Sequence, residues 1–425
     1  MDKSGTWNDN TSDAVNLLTL ASQFKGQIDA DVNFFESYFR PLYNEGKLLY
    51  HREILSPVDR RVLVKDPISG KTIDMIMMGS NNYLGFANDP EVKERAKQAI
   101  DTQGLGMGGP MLLNGTSKLH RTVEERLAHF KGKEDCIILP SGYMTSLTWV
   151  TTLVSDNAVL FFDEISHASV VDGIKLGRKT AFRFNHNDPD DLEKMLKKYR
   201  DKDANRDLWV TTQGVYSMNG ELAPVKEISD VCEKYNAKYV IDDAHGTGVM
   251  GKGRGMAEEV GITQRLQYAM GTFSKAFSIT GGFFAADKNT VNFLRFFSRP
   301  YFFTASLSPV SMAVILACLD ILERSTERVD KLHTNIKLFY DYLDKAGIKY
   351  TRTGSAIIPV FPPTPESFRI LSQKLHENGL FVNPIEPPGV PKGGERFRVS
   401  LMATHTPKDI QDAVDILKST YERYA

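Results

Sequence analysis

The chain has 425 residues with 52 basic and 53 acidic side chains, a formal net charge of −1 and no long block of one sign. That length calls for two or more domains with a large buried interior, and the balanced charge argues against a nucleic-acid footprint. Cys136, Cys232 and Cys318 are scattered and include no CxxC pair, so they suggest neither a disulfide framework nor a metal site, and they point to a reducing compartment. The opening MDKSGTWNDNTSD has no basic stretch followed by an apolar one, and no run approaches the roughly 18 apolar residues of a membrane span. A soluble, cytoplasmic protein is expected.

Residues 1–30 are polar. Residues 31–49 carry Phe34, Phe35, Tyr38 and Phe39 at helical spacing until Pro41. This predicts a helix packed on the body or on a partner subunit, with membrane-surface contact as the alternative. MIMMGSNNYLGF (75–86) reads as a strand and a polar turn. The next helix is signalled at both ends: Asp89 caps it, Pro90 takes its first position and Gly104 stops it, with Val92, Ala96, Ala99 and Ile100 on one face. GLGMGG (104–109) spells the GxGxxG of dinucleotide sites, but that fingerprint must follow a strand and open a helix. Here it follows a helix and leads into Pro110, so a loop of close backbone approach is expected instead. A second helix aligns Leu119, Val123, Leu127 and Phe130 and ends at Gly132.

From Asp135 onward the pattern changes. Short apolar runs at 136–140, 158–162, 208–212, 239–243 and 281–286 alternate with helical patterns such as 190–202 and 225–236. The alternation predicts an α/β fold with a mainly parallel sheet covered on both faces, and functional residues at the carboxyl ends of its strands. SGYMT, DEISHAS, TQGVYSMNG and DAHGTG stand at those ends. Beyond Pro309, two helices (310–325 and 327–346), strands within 350–361, 379–385 and 396–402, and helices at 366–377 and 407–423 make a smaller α+β domain. The expected division is an N-terminal arm (1–74), a large domain (75–309) and a small C-terminal domain (310–425).

The chemistry gathers at GTFSKAFSITGG (271–282). Lys275 sits there among small and hydroxylated residues, where an amine can be desolvated, lose its proton and form a Schiff base. About thirty residues upstream, VIDDAHGTG (240–248) ends an apolar run in two carboxylates and a histidine. A lysine for an aldehyde, an acid for a pyridine nitrogen and hydroxyls for a phosphate together suit pyridoxal phosphate.

SNNYLGF, NGTSKLH, SGYMTS, SHASVVDG, GVYSMNGE, DDAHGTGVMGKGRG, GTFSKAF, RPYFFTASLSP and RFRVSLMATHT occur in that order. From about Phe35 to the end, the chain resembles the α-oxoamine synthases, fold-type I pyridoxal-phosphate enzymes that join an amino acid to an acyl-CoA with loss of carbon dioxide. The resemblance implies a seven-stranded, mainly parallel sheet in the large domain. It makes Lys275 the Schiff-base lysine and the base for the α-proton, and Asp242 the partner of the pyridine nitrogen, with Asp243 structural. His245 and Ser217 would contact the ring oxygen, and His167 would stack on the ring. Gly142, Tyr143 and Thr272 would hold the phosphate. Thr304 would reach the phosphate of a neighbouring subunit in a homodimer with shared sites. Arg398, with Asn81 as companion, would bind the substrate carboxylate. No metal is implied. The C-terminal run resembles the branch that uses L-serine and a long-chain acyl-CoA. The glycine acetyltransferase and 8-amino-7-oxononanoate branches are the alternatives, and a partner subunit with a decayed site is the non-enzymatic one. One departure stands out: many members carry Gly-Ser-Arg where this chain has Gly109, Pro110 and Met111, an apolar change expected to suit a long acyl chain.

Overall fold

A computed structural model describes residues 22–387 and 389–425. Most of the polar stretch 1–30 therefore lies outside the described residues. The strands are β1 (Glu53–Ile54), β2 (Arg61–Lys65), β3 (Thr72–Met77), β4 (Asp135–Leu139), β5 (Val159–Asp163), β6 (Ala181–Phe184), β7 (Leu208–Gln213), β8 (Lys238–Asp242), β9 (Ala269–Thr272), β10 (Gly282–Ala286), β11 (Ile357–Val360), β12 (Leu380–Phe381), β13 (Asn383–Ile385) and β14 (Arg396–Ser400). They fall into two compact units, one of residues 81–333 with 354–356, the other of 22–80 with 334–353 and 357–425.

The larger unit holds a seven-stranded sheet in the order β4-β10-β9-β8-β7-β5-β6. β10 runs antiparallel to both its neighbours, and the remaining pairs are parallel. The apolar runs expected to be strands are β4, β5, β7, β8 and β10, and four of these are buried along their whole length. β6 and β9 were not expected. β6 exposes three of its four residues at least in part and carries Arg183, and β9 is the short Ala-Met-Gly-Thr. Trp149, Trp209 and Tyr268 stack in series in the core beside the sheet, with ring centroids 6.1 and 5.3 Å apart.

The helix Pro90–Gln103 forms as expected, with Asp89 accepting the Val92 N–H and Gly104 at its end. Its buried face is Val92 and Ala99, and Ile100 is 43% exposed, outside the face assigned to it. GLGMGG lies between helices, as its context required, and no strand precedes it. Met111 corrects a second expectation. It is 6% exposed and belongs to the apolar core cluster of this unit that also holds Trp149 and Tyr301, so its side chain is already spent on folding.

The smaller unit carries two sheets, β1-β2-β3-β12 and β11-β14-β13. β3 pairs in parallel with β12 (Ile76 with Leu380, Met77 with Phe381), and Arg60 Nη1 donates to both carboxylate oxygens of Asp409 at 2.7 and 2.8 Å. Strand pairing thus joins the segment before Ser80 to the C-terminal region, and the observed boundaries differ from those at 74/75 and 309/310. The first described helix, Ile28–Asn44, runs through Pro41 instead of ending there. Proline removes its own N–H and crowds the carbonyl one turn earlier, yet the helix continues: the Pro41 carbonyl accepts from Glu45 N–H at 3.0 Å, and Leu42 beyond it shares an apolar cluster with Tyr38. No described helix is long and apolar enough to cross a membrane.

Candidate active site

The carboxyl ends of β5, β7, β8 and β9, with the helix that follows β4, surround a cavity of about 240 Å³. Gly142, Tyr143, His167, Ser217, Asp242, His245, Thr272 and Lys275 all line it. Residues spread over 134 positions of chain are brought together because parallel strands present successive loops on one edge of the sheet.

Asp242 and Asp243 are both buried, yet they differ in partners. Asp243 pairs with Lys131 Nζ at 3.1 Å and accepts from Thr247 Oγ1 at 3.1 Å and Met256 N–H at 3.2 Å. Asp242 takes the Ala244 N–H at 3.2 Å and faces the cavity. Burial pushes the pKa of each carboxyl up; the neighbouring His167 ring opposes this at Asp242, and the charge of Lys131 opposes it at Asp243. Asp242 is thus the acid poised for a cationic ligand atom, and Asp243 is engaged within the protein.

Lys275 stands in the β9–β10 loop, half-buried, with Nζ 3.5 Å from Ser274 Oγ. The backbone turn after it is held by Ser278, at φ 55°, whose N–H donates to the Lys275 carbonyl and whose hydroxyl donates to Asn82 Oδ1 at 2.6 Å. Thr272 is less available than expected, since its hydroxyl donates to the Gly281 carbonyl at 2.7 Å. Ser274, exposed and 2.9 Å from Thr272 Oγ1, is the more accessible hydroxyl and was missed in the sequence.

His167 caps the helix Ala168–Gly177, and its Nδ1 accepts the Ser169 N–H at 3.2 Å, with Ser169 Oγ at 2.8 Å. Upstream, the Asp163 carboxylate gathers the N–H groups of Ile165 and Asn187 and the His186 ring, fixing the loop that presents His167. Gln213, at the end of β7, donates to the Ile165 carbonyl at 3.0 Å and accepts from Ser217 N–H at 3.4 Å. These supports were not read from the sequence, because those that bind the loop to other elements, His186 and Asn187 to Asp163 and Gln213 to Ile165, join residues distant in sequence.

His245 and Asn81 are linked by a residue the motif reading passed over. Tyr83 OH lies 2.8 Å from His245 Nδ1 and donates to Asn81 Oδ1 at 3.1 Å. With the hydroxyl proton on Asn81, Nδ1 is the donor to Tyr83. Thr304 is not among the cavity's lining residues; its Oγ1 is 3.7 Å from Met144 Sδ. Arg398 lies in the other unit, buried on β14, with Nη1 2.9 Å from Ser400 Oγ.

The residues at the cavity fit pyridoxal phosphate. In the helix Gly142–Leu153, Ser141 takes the Met144 N–H on its hydroxyl and the Thr145 N–H on its carbonyl. The preceding N–H groups of Gly142 and Tyr143 then point out of the helix end toward the space an anion would occupy. A Cβ on Gly142 would stand 2.9 Å from Thr272 Cβ, so just a glycine leaves that cradle open. With a lysine, a buried acid and a helix-capping histidine beside it, the cavity has the groups that a fold-type I pyridoxal-phosphate transferase requires.

Comparison with known proteins agrees. The aminotransferase class I and II family profile matches residues 73–417. An 8-amino-7-oxononanoate synthase of Fervidobacterium nodosum is 36% identical over 392 residues, 92% of this chain and 98% of that one. A serine palmitoyltransferase of Sphingobacterium spiritivorum is 33% identical over 400 residues, 94% and 98% of the two chains. The solved serine palmitoyltransferase of Sphingomonas wittichii superposes with a TM-score of 0.85 at 32% identity, covering 96% of this chain and 98% of its own. The chain belongs to the aminotransferase class I and II family and, within it, to the α-oxoamine synthases.

Proposed function

We propose that this enzyme condenses a small α-amino acid with an acyl thioester, releasing carbon dioxide and the thiol, with pyridoxal phosphate held in the sheet-edge cavity. The observation that carries the reading is that Lys275, Asp242 and His167 line one cavity beside an open helix N-terminus. Bound there, the cofactor supplies an electron sink for bonds broken at the amino acid's Cα. Asp242 keeps the ring nitrogen protonated, His167 packs on the ring face, and the N–H groups of Gly142 and Tyr143 receive the phosphate with Ser274. With the amino acid bound, Lys275 would be the base that takes the α-proton. His245, oriented by Tyr83, and Ser217 address the ring oxygen, while Arg398 and Asn81 are assigned to the substrate carboxylate.

For the acyl partner, the 8-amino-7-oxononanoate reading is preferred over the long-chain one. The identity to that synthase is higher than to the serine palmitoyltransferase, 36% against 33%, and the burial of Met111 removes the argument that it lines a long acyl pocket. By its name, that product divides at the new carbon–carbon bond into an alanine-derived end and an ω-carboxyacyl chain. The second reading, serine with a long acyl chain, keeps support from the superposition on serine palmitoyltransferase. A homodimer is proposed as well: Phe296, Phe297 and Phe303 are 62, 65 and 70% exposed on the single chain, an apolar surface that a second copy would cover.

The test is a matrix of alanine, serine and glycine against ω-carboxyacyl-, acetyl- and palmitoyl-CoA, reading thiol release. Alanine with the ω-carboxyacyl thioester is expected to give the highest kcat/KM. Preference for serine with palmitoyl-CoA would reverse the substrate assignment, and thiol release independent of amino acid would overturn the condensation.

A further inference from the structure

Lys131 has no place in the chemistry assigned above, and yet its burial is costly. It follows the helix Lys118–Phe130, is 6% exposed, and uses its ammonium group on Asp243 Oδ2 at 3.1 Å, Thr247 Oγ1 at 3.0 Å and the Arg254 carbonyl at 2.6 Å. Glycines crowd the pair: a Cβ on Gly214 would approach Asp243 Oδ1 to 2.8 Å, and one on Gly255, at φ 108°, would meet Lys131 Nζ at 2.8 Å. Hydrogen bonding alone does not require a full charge at this place. Burying two ions to tie a helix end to a loop is a poor stabilising device, since neutral groups of like volume do as well or better.

What distinguishes the place is its neighbour. Asp243 follows Asp242 in sequence, so a carboxylate buried behind the cavity wall abuts one buried at its surface. Asp242 faces His167, Lys275, Asp243 and the Ala244 N–H, with His245 also at the cavity; Asp243 faces Lys131, Thr247, the Met256 N–H and Tyr239. An uncompensated Asp243 would repel the charge of Asp242 across a dry interior and favour a proton on one of them.

We propose that Lys131 is a positioning residue for the cofactor site: by neutralising Asp243 behind the wall, it keeps Asp242 ionised to hold the protonated ring nitrogen of pyridoxal phosphate. The proposal rests on the cofactor reading given above. It differs from a packing role in the sign of its consequences. Removing Lys131 exposes Asp242 to an unshielded negative charge, removing Asp243 leaves it beside a positive one, and removing both restores neutrality.

The experiment compares wild type with Lys131→Met, Asp243→Asn and the double variant. It measures the Kd of pyridoxal phosphate by equilibrium dialysis from pH 5.5 to 8, with the melting temperature of each cofactor-free protein. Titration of the cofactor itself is common to all four. In Lys131→Met, affinity should fall off at higher pH than in wild type, with binding at the acid end weaker by roughly tenfold or more. In Asp243→Asn it should fall off at lower pH, and the double variant should return to the wild-type profile. The double variant carries the test if Asp243→Asn folds poorly. Unmoved profiles with altered melting temperatures, or shifts of both single variants in one direction, would overturn the proposal while leaving the cofactor site intact. Failure of wild type to bind pyridoxal phosphate would overturn both.

Discussion

The adjacent aspartates at the end of β8 should answer the same substitution in opposite ways. Asp242→Asn keeps an oxygen for the Ala244 N–H, seen at 3.2 Å, and removes a charge whose burial the folded chain must bear. Because burial raises its pKa, the folded protein binds a proton more readily than the unfolded one. This acid therefore subtracts stability as pH rises through its titration, and above that window the asparagine protein should melt at the same temperature as wild type or higher. Cofactor binding should move the other way, since a charge-assisted contact is worth roughly 1.5–3 kcal/mol, or about 10- to 150-fold in Kd. Asp243→Asn instead strands the ammonium of Lys131, and an orphaned buried charge costs about 3–5 kcal/mol. Scanning fluorimetry of the cofactor-free proteins at pH 7.5 and dialysis against pyridoxal phosphate read both effects. If Asp242→Asn binds the cofactor as wild type does, or loses as much stability as Asp243→Asn, the assignment of roles to the two acids is mistaken.

Lys275→Ala should fold with an unchanged melting temperature and show no condensation; turnover above a hundredth of wild type would remove Lys275 from the reaction. Tyr83→Phe withdraws the partner of His245 Nδ1, a bond worth about 0.5–1.5 kcal/mol, so kcat/KM should fall about 2- to 13-fold; an unchanged value would detach Tyr83 from the site. His405, buried in the smaller unit between the Met77 carbonyl and the Met402 N–H, is pushed down by burial to about 4. Its unfolded form titrates near about 6.5, so the stability it gives is fully present above that pH and is lost as pH falls toward 4. Urea unfolding at pH 7 and 5 should show this loss, and His405→Gln should flatten it; an identical slope in the variant would place the titration elsewhere.

The sequence was most legible where one physical cause dominates. Strands buried on both faces, such as Val159–Asp163, appear as unbroken apolar runs, and the capped helix Pro90–Gln103 has signals at both ends. β9 escaped because a four-residue strand containing glycine has no periodicity to detect, although it leads directly to Lys275. In the site, residues within motifs were found and residues that serve them were not. Tyr83 reaches His245 across 162 positions and Lys131 reaches Asp243 across 112; nothing local marks such partners. Met111 misled because an apolar residue in a loop near a site looks like a pocket wall, whereas here its side chain joins the core cluster and the Gly109 carbonyl two residues before accepts the Ser306 N–H.

The central claim is that carbon dioxide leaves the amino acid as part of acyl transfer at Lys275. It is tested most directly by supplying carboxyl-labelled amino acid with its preferred acyl-CoA and counting labelled carbon dioxide against free thiol. The account predicts equal amounts of both, neither formed without the other substrate, and both abolished in Lys275→Ala. Label retained in an oxo acid, or thiol released without carbon dioxide, would contradict it.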